Sequence, residues 1–250
     1  MGKFDGKTVV VAYAGGGIGK AIAEAFAAEG ATVIIHDADD AKLAGYPGER
    51  IIGDLRNKED ADKLIQFALQ KGGNKIDVLV NNEDFVPEPK KITDLTTEQF
   101  IETIDLNLKT IWHTLAAIYP TVKAQTKINI VNIGSVAGAA GVSKFIDYSS
   151  VKSGLYGMTK TIAKEWSRFG GVRANLVNLG QIKFPEGYEH QGLGKKGFKE
   201  LIGPTNPIQK ADSNPKDVAN IVLFLASDDS KSINAATIDA FGGIYTISGE

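Results

Sequence analysis

The chain has 250 residues, of which 43% are hydrophobic, enough to bury a continuous core in one large α/β domain or two small ones. Its formal net charge of −2 leaves no basic excess for binding nucleic acid or an anionic membrane. The absence of cysteine excludes disulfides and thiolate catalysis, and the scattered His36, His113 and His190 lack metal-ligand spacing. We therefore expect no metal site and neither a nucleic-acid nor a membrane partner.

Short β-branched runs alternate with longer helical patterns along the chain. The runs predict parallel strands at 8–11, 32–35, 50–52, 76–80, 128–133 and 172–177. The helical patterns cover 18–29, 58–71, 97–124, 148–169 and 215–226, with Thr96 or Thr97 and Asn214 as helix starts. Apolar strands separated by helices indicate a sheet covered on both faces, which predicts an α/β, doubly wound, Rossmann-type fold.

The segment 180–214 differs from the rest of the chain because it is rich in glycine and contains Pro185, Pro204 and Pro207. We interpret it as a substrate lid, although an ordinary surface excursion also fits. No internal repeat or linker is evident, so residues 1–250 are predicted to form a single domain. Residues 1–7 show no secretory-signal pattern, and no run approaches the ~18 apolar residues that span a bilayer, so we expect a cytoplasmic protein.

A glycine-rich loop connects the first predicted strand to the first predicted helix. Dinucleotide phosphates rest on backbone N–H groups at such a helix N-terminus, and a Cβ would hold them away. The spacing departs from the usual Gly-x-Gly-x-x-Gly, and a tight turn remains an alternative. The residues predicted here to bind cofactor are Gly15, Gly17, Ile18 and Gly19.

Two aspartates follow predicted strands where an adenosine group would lie. Asp37, after the second strand, is placed to accept hydrogen bonds from ribose hydroxyls and to repel the additional phosphate of NADP. Asp54, after the third strand, is placed near the adenine amino group. Asp37 in a solvated turn and Asp54 as an ordinary strand-end residue are the alternatives. The pattern favours NAD over NADP.

Tyr148 and Lys152 are four residues apart in a predicted helix, so their side chains emerge from one face. A lysine cation beside a phenol is expected to lower the phenol pKa, which makes tyrosine a usable general acid or base. Ser135 follows the strand predicted at 128–133, where its hydroxyl would hold a substrate oxygen next to Tyr148. The spacing alone is weak evidence, and its value depends on the surrounding motifs.

These motifs make the sequence resemble the short-chain dehydrogenase/reductase family from end to end. The motifs occur in the family's order: Asp77-Val78-Leu79-Val80-Asn81-Asn82, Asn107, the stretch 130–138 ending in Gly134-Ser135-Val136-Ala137-Gly138, and Tyr148-Ser149-Ser150-Val151-Lys152. The resemblance implies hydride transfer between a nicotinamide, preferably of NAD, and a carbonyl or alcohol. It also implies that Tyr148 passes the proton, Ser135 polarises the substrate, Lys152 binds the nicotinamide ribose and Asn107 anchors a water relay.

The same resemblance adds further residues to those predicted to bind the cofactor, and it shows where this sequence departs from the family motifs. The additional cofactor residues are Leu55, Asn81, Gly180 and Ile182, besides Tyr148 and Lys152. Departures lie on the cofactor side, at Ala12-Tyr13, Glu83-Asp84, Leu179 and Phe184. Tyr13 is expected to narrow the groove, and Glu83 and Asp84 to place negative charge near the cofactor phosphates unless they point outward. The catalytic side is expected to be intact.

Two other functions remain open. Halohydrin dehalogenases share this fold and keep the serine and tyrosine, but they replace the nicotinamide pocket with a halide site and have arginine where this chain has Lys152. Gly17 and Gly19 remain where an aromatic residue would fill that pocket, which favours nicotinamide chemistry. A degenerate binding protein without catalysis is the second alternative.

The expected partners are a small-molecule substrate and further copies of the chain. Val136, Ala137, Ile182, Phe184 and Tyr188 are mostly apolar or aromatic, which predicts a carbonyl or secondary alcohol with an apolar body. Substrate identity stays open. The long helices that contain Trp112 and Trp166 have apolar residues on more than one face. The resemblance implies that they pair across subunits in a tetramer or dimer, whereas a monomer core would also explain both tryptophans.

Overall fold

The computed structural model describes residues 2–180, 182 and 213–241, in which seven strands form one parallel sheet. The strands are β1 (Thr8–Ala12), β2 (Thr32–Asp37), β3 (Glu49–Ile52), β4 (Val78–Asn81), β5 (Asn129–Ser135), β6 (Arg173–Leu179) and β7 (Thr237–Ala240). The helices are α1 (Gly17–Ala28), α2 (Lys58–Lys71), α3 (Thr97–Ile104), α4 (Thr110–Gln125), α5 (Val136–Ala140), α6 (Ile146–Trp166) and α7 (Pro215–Ala226).

The strand order is β3-β2-β1-β4-β5-β6-β7, and every pairing is parallel. The order reverses between β1 and β4, so the chain winds outward in both directions from these two neighbours. In open parallel sheets, a crevice forms at this point outside the carboxyl ends of the strands. The predicted doubly wound, Rossmann-type fold is confirmed.

The core lies on both faces of the sheet because alternate strand residues point to opposite sides. Val10 and Leu79 pack on the face covered by α2, α4 and α6. Val9 and Val78 pack on the other face, which α1 and α7 cover through residues such as Phe26. The near-continuous apolar strands in the sequence are explained by this double burial.

Side-chain caps define two helix starts that the sequence predicts. Thr96 accepts a hydrogen bond from the Gln99 N–H, and the Gln99 side chain accepts one from the Thr96 N–H. Asn214 and Asp217 form the same reciprocal arrangement at the start of α7, with Pro215 in its first turn. Both arrangements are capping boxes, which provide hydrogen-bond acceptors for the backbone N–H groups that the first turn of a helix leaves without partners.

The predicted helix over 97–124 is divided by a π-helical turn at Asp105–Lys109. The predicted helix over 148–169 starts earlier, at Ile146, and is followed by a 3₁₀ turn at Ser167–Phe169. The short α5 is not predicted by the sequence. Trp166 is buried, whereas 55% of Trp112 is exposed, so only Trp166 belongs to the core of this chain.

Most of the predicted lid, residues 183–212, lies outside the described residues. Its flanks are described, and Ile182 and Ser213 form a parallel β-bridge. Gly180 packs so closely on Phe241 that a Cβ at Gly180 would lie 2.3 Å from the Phe241 Cβ. Across the described parts of the chain, no helix combines the length and apolar character needed to cross a membrane.

Candidate active site

The structure brings Ser135, Tyr148 and Lys152 together at the carboxyl end of the sheet. Ser135 is the last residue of β5, and its Oγ accepts a hydrogen bond from the Ala137 N–H at 3.2 Å. Tyr148 and Lys152 lie one turn apart on α6, and both are almost fully buried. Lys152 Nζ is 5.5 Å from the centre of the Tyr148 ring. The three side chains thus form one group, as their spacing predicts.

Asp84 is a fourth member of this group. The Tyr148 hydroxyl donates a short hydrogen bond to Asp84 Oδ1, and Lys152 Nζ forms an ion pair with the same oxygen at 3.2 Å. The sequence places Asp84 among the residues near the cofactor phosphates. The structure instead directs its carboxylate to Tyr148 and Lys152, so the predicted catalytic side contains a carboxylate that the sequence does not place there.

The remaining hydrogen bonds of Lys152 go to backbone carbonyls. Its Nζ donates to Glu83 O at 2.6 Å and to Ile133 O at 3.4 Å. These two hydrogen bonds and the ion pair with Asp84 are the polar contacts of the ammonium group in the described part of the chain. Because Lys152 is fully buried, its charge is compensated by the protein alone.

The pKa of the Tyr148 phenol is raised well above its ordinary value, opposite to the expected direction. Burial is the largest cause, followed by the negative charge of Asp84 and its acceptance of the phenol proton. A hydrogen bond with Ser135 acts in the opposite direction. Tyr148 is therefore a protonated phenol at neutral pH, and the pKa decrease expected from Lys152 is not found.

Glu83 is fully buried beside this group, and neither carboxyl oxygen has a hydrogen-bond partner. Burial raises the pKa of its carboxyl to about 8, although the nearby Lys152 cation acts in the opposite direction. Glu83 is therefore mainly a neutral acid at neutral pH. It does not point outward, and its expected charge near the cofactor phosphates is largely absent.

Asn107 lies in the π-helical turn and binds the segment that follows Asp84. Its Oδ1 accepts a hydrogen bond from the Phe85 N–H, and its Nδ2 donates to Phe85 O, both at 2.9 Å. Nδ2 also contacts Thr103 O at 3.2 Å. The side chain thus fixes the backbone next to Asp84, and the water relay implied by the resemblance remains a prediction.

The glycine-rich loop has the geometry of an anion-binding turn. Gly17, Ile18 and Gly19 form the start of α1, where no side chain caps the N–H groups. A Cβ at Gly19 would lie 2.6 Å from Ala14 Cα, so only glycine fits this contact. Gly15 N–H donates to Asp37 Oδ2 at 3.1 Å, which connects the loop to the end of β2.

Tyr13, one of the predicted departures from the family pattern, has a φ of 49°, in the left-handed region that favours glycine. Its ring is only 2% exposed and packs edge-on against His36 and Phe85. The ring therefore fills the core beneath the loop instead of standing in the groove, which corrects that expectation. His36 donates to Gly53 O at 3.0 Å, and burial lowers its pKa to about 4.

Three other predicted cofactor residues have partners within the protein. Asn81 donates to Asn132 Oδ1 and accepts from the Thr114 hydroxyl, both at 2.8 Å. Asp54 pairs with Arg56, which lowers the Asp54 pKa. Leu55 is buried, and its carbonyl accepts a hydrogen bond from His113 at 2.7 Å. Thus His36 and His113 both bind backbone carbonyls, whereas His190 lies outside the described residues.

Comparison with known proteins identifies the family. The family model described as enoyl-(acyl carrier protein) reductase matches residues 12–245. Dehydrogenase/reductase SDR family member 6 of Rattus norvegicus is 33% identical over 251 residues, which cover 97% of this chain and 99% of that protein. The chain is a short-chain dehydrogenase/reductase. The 3-oxoacyl-[acyl-carrier-protein] reductase of Thermotoga maritima is 32% identical over 251 residues, with 97% and 99% coverage.

Solved structures of the same fold resemble this short-chain dehydrogenase/reductase over nearly its whole length. The 3-ketoacyl-(acyl-carrier-protein) reductase of Brucella melitensis, complexed with NADH, has a TM-score of 0.85 and 25% identity, covering 96% of this chain and 98% of that chain. NAD+-bound xylitol dehydrogenase has a TM-score of 0.85 at 24% identity, covering 96% and 99%, and supports the fold alone.

A nicotinamide dinucleotide fits the glycine-rich loop of this site better than the end that contains Tyr148 and Lys152. The cradle at Gly15 and Gly19 and the uncapped start of α1 suit a pyrophosphate, with Asp37 at the neighbouring strand end. At the opposite end, the resemblance implies that Tyr148 and Lys152 would hold a ribose, and both contact Asp84. The residues fit the cofactor once Asp84 is displaced.

Sequence reasoning recognised that Asp84 departs from the family but did not identify its contact. A signal was available, because the carboxylate follows β4, the strand next to the one that ends in Ser135. The carboxyl ends of neighbouring parallel strands lie at one edge, where their following residues meet.

Proposed function

We propose that this short-chain dehydrogenase/reductase transfers hydride between NAD and a carbonyl or secondary alcohol, with Tyr148 as general acid/base. The observation that carries the proposal is the buried group of Ser135, Tyr148 and Lys152 at the carboxyl end of the sheet. The Brucella melitensis relative, whose structure is a complex with NADH, adds support for a nicotinamide cofactor.

Each member of the group has a chemical role in this proposal. The bound nicotinamide supplies or accepts the hydride. In reduction, the protonated Tyr148 phenol donates its proton to the substrate oxygen, which Ser135 holds by a hydrogen bond. Lys152 binds the ribose and provides a positive charge that favours the resulting phenolate.

A substrate with an apolar body is consistent with the surroundings of Tyr148. Ala137, Phe145 and Tyr148 form a buried apolar cluster, against which Val86 and Val142 also pack. Apolar walls contribute binding energy through desolvation, while the few polar groups orient the reacting oxygen.

The proposed function is tested by nicotinamide binding and turnover. Purified protein is titrated with NADH, and nicotinamide fluorescence and tryptophan quenching are followed. It is then assayed for NADH oxidation with linear, cyclic and aromatic ketones. Binding with turnover of at least one ketone is expected. Absence of NAD(H) binding would contradict the proposal and favour a non-redox relative or a non-catalytic binding protein.

Asp37 predicts selectivity for NAD over NADP. Its carboxylate is held at the loop by the N–H groups of Gly15 and Asp39, both at 3.1 Å, where it would repel a ribose phosphate. In Asp37→Asn, the ratio of kcat/KM for NADH to that for NADPH should fall about tenfold, equivalent to about 1.4 kcal/mol. Asp39→Asn removes the same charge two residues away and should leave the ratio nearly unchanged. Equal ratios in all three proteins would show that Asp37 does not discriminate.

Self-association is also part of the proposal. Trp112 on α4, Ile101 on α3 and Ile146 on α6 are exposed large apolar side chains. Such residues at a subunit interface are buried on assembly, which contributes favourable free energy.

We expect light scattering to give the mass of a dimer or tetramer, and Trp112→Lys to reduce that mass because it places a charge in the interface. Ile52→Lys on the edge strand β3 is the control, since Ile52 is also exposed. A monomeric mass for the unmodified protein would contradict self-association.

A further inference from the structure

We propose that the Asp84 carboxylate is an internal competitor for the nicotinamide ribose, because it occupies the two donors, Tyr148 Oη and Lys152 Nζ, that the ribose hydroxyls need. The inference rests on the proposed function, since it assigns the ribose to these two residues. It adds a residue that sets cofactor affinity from within the catalytic group.

Asp84 is in direct contact with both donors of the pair. Tyr148 has a single O–H, and it donates to Asp84 Oδ1. Lys152 Nζ donates to Glu83 O and Ile133 O, and it lies 3.2 Å from Asp84 Oδ1 in an ion pair. The two carbonyls are fixed by the backbone next to β4 and in β5, so Asp84 is the partner that a ribose hydroxyl must replace.

The backbone on both sides of Asp84 is held by hydrogen bonds. Asn82 Nδ2 donates to Tyr13 O at 2.9 Å, and Asn107 binds both the N–H and the carbonyl of Phe85. Displacement is therefore assigned to rotation of the Asp84 side chain, not to movement of the loop. That side chain is 17% exposed, so its carboxylate has a route toward water, unlike Lys152.

This competition lowers the apparent affinity for cofactor. If the protein binds cofactor only when Asp84 has left Lys152, the apparent Kd equals the intrinsic Kd divided by the fraction of molecules in that state. A weaker internal acceptor at position 84 increases this fraction. Asp84→Asn is the appropriate change, because its neutral amide oxygen still accepts hydrogen bonds, whereas truncation would leave the buried Lys152 charge without a nearby partner.

The first measurement is the Kd of NADH by titration calorimetry for the unmodified protein, Asp84→Asn and Glu88→Gln. The Asn variant should bind at least about tenfold more tightly, whereas the exposed Glu88 should have little effect. The tighter NADH binding of Asp84→Asn should persist at high salt, because salt screens a direct contact between buried groups only weakly. A gain that disappears with salt would overturn the competition and indicate distant repulsion of the phosphates.

The second measurement needs no cofactor. Ultraviolet absorbance of tyrosinate is followed against pH in Asp84→Asn and in Asp84→Asn/Tyr148→Phe. Loss of the carboxylate should lower the pKa of Tyr148, so a phenolate signal appears at lower pH than in the unmodified protein, and it should be missing in the double variant.

The two measurements separate the possible failures. An early phenolate signal together with tighter NADH binding supports the inference. A phenolate signal at lower pH with unchanged NADH affinity overturns the inference, because removal of the Asp84 carboxylate then affects Tyr148 without affecting cofactor binding. No early signal, with normal NADH binding, overturns the inference but leaves the proposed function standing. If no variant binds NADH, both are overturned.

Discussion

Tyr148→Phe is expected to lower kcat by about a hundredfold or more, because a phenyl ring has no proton to transfer to the substrate oxygen. The substitution removes one oxygen from a side chain that is 1% exposed, so the aromatic packing against Phe145 is retained. Steady-state kinetics with NADH and the best ketone substrate measure the effect.

The matched control is Tyr119→Phe, in which the lost hydroxyl accepts a hydrogen bond from Arg168 at 3.3 Å on the surface. Its kcat should stay close to that of the unmodified protein. The two variants should show similar cooperative thermal unfolding, which separates loss of chemistry from loss of fold. Undiminished turnover in Tyr148→Phe would show that another group transfers the proton.

Glu83→Gln is expected to stabilise the protein at alkaline pH, because it removes a carboxyl group that folding keeps away from water. The pKa of Glu83 is about 8 in the folded protein and close to its ordinary 4.5 in the unfolded chain. The folded state therefore binds the proton more tightly. The stability associated with protonated Glu83 is complete below about pH 4.5 and is lost as the pH rises to about 8.

The measurement is the free energy of unfolding in urea from about pH 5 to about pH 8, for the unmodified protein and Glu83→Gln. Over this range the advantage of the Gln variant should grow by on the order of 3 kcal/mol, since each pKa unit corresponds to about 1.4 kcal/mol. Lys152 and Tyr13 are the ionisable neighbours, and both remain in the variant.

Glu88→Gln serves as the control for this experiment, because Glu88 is exposed and lies five residues further along the same segment. Its stability should follow that of the unmodified protein at each pH. Parallel curves for the unmodified protein and Glu83→Gln would contradict the burial of a neutral carboxyl group at this position.

The sequence predicts much of the fold because its signals are local and repeated. Buried parallel strands require apolar residues on both faces, so strands such as β1 and β5 are visible as β-branched runs. The spacing of Tyr148 and Lys152 is also a local signal, because residues four apart lie on the same face of a helix. The π-helical turn at Asp105–Lys109 is not visible, because the apolar pattern around it is also that of an uninterrupted helix.

The direction of the Asp84 side chain could not be derived in this way. Asp84 follows a strand, in a loop without periodicity, and its orientation depends on the Lys152 charge and on the hydrogen bonds that Asn107 makes to Phe85. These partners are distant in sequence. The Tyr148–Lys152 spacing therefore predicts a lowered pKa for Tyr148, whereas burial and the negative charge of Asp84, which the spacing does not reveal, raise it.

The bridge between Ile182 and Ser213 has a consequence for how this enzyme can diversify. The bridge holds Ile182, just beyond β6, next to Ser213, just before α7. Changing the length of a closed loop alters its closure entropy only slowly, by about 0.6 kcal/mol for each doubling. A change in chain length between these two anchor positions should therefore cost little stability, so insertions and deletions are expected to be tolerated there more readily than within β6 or α7.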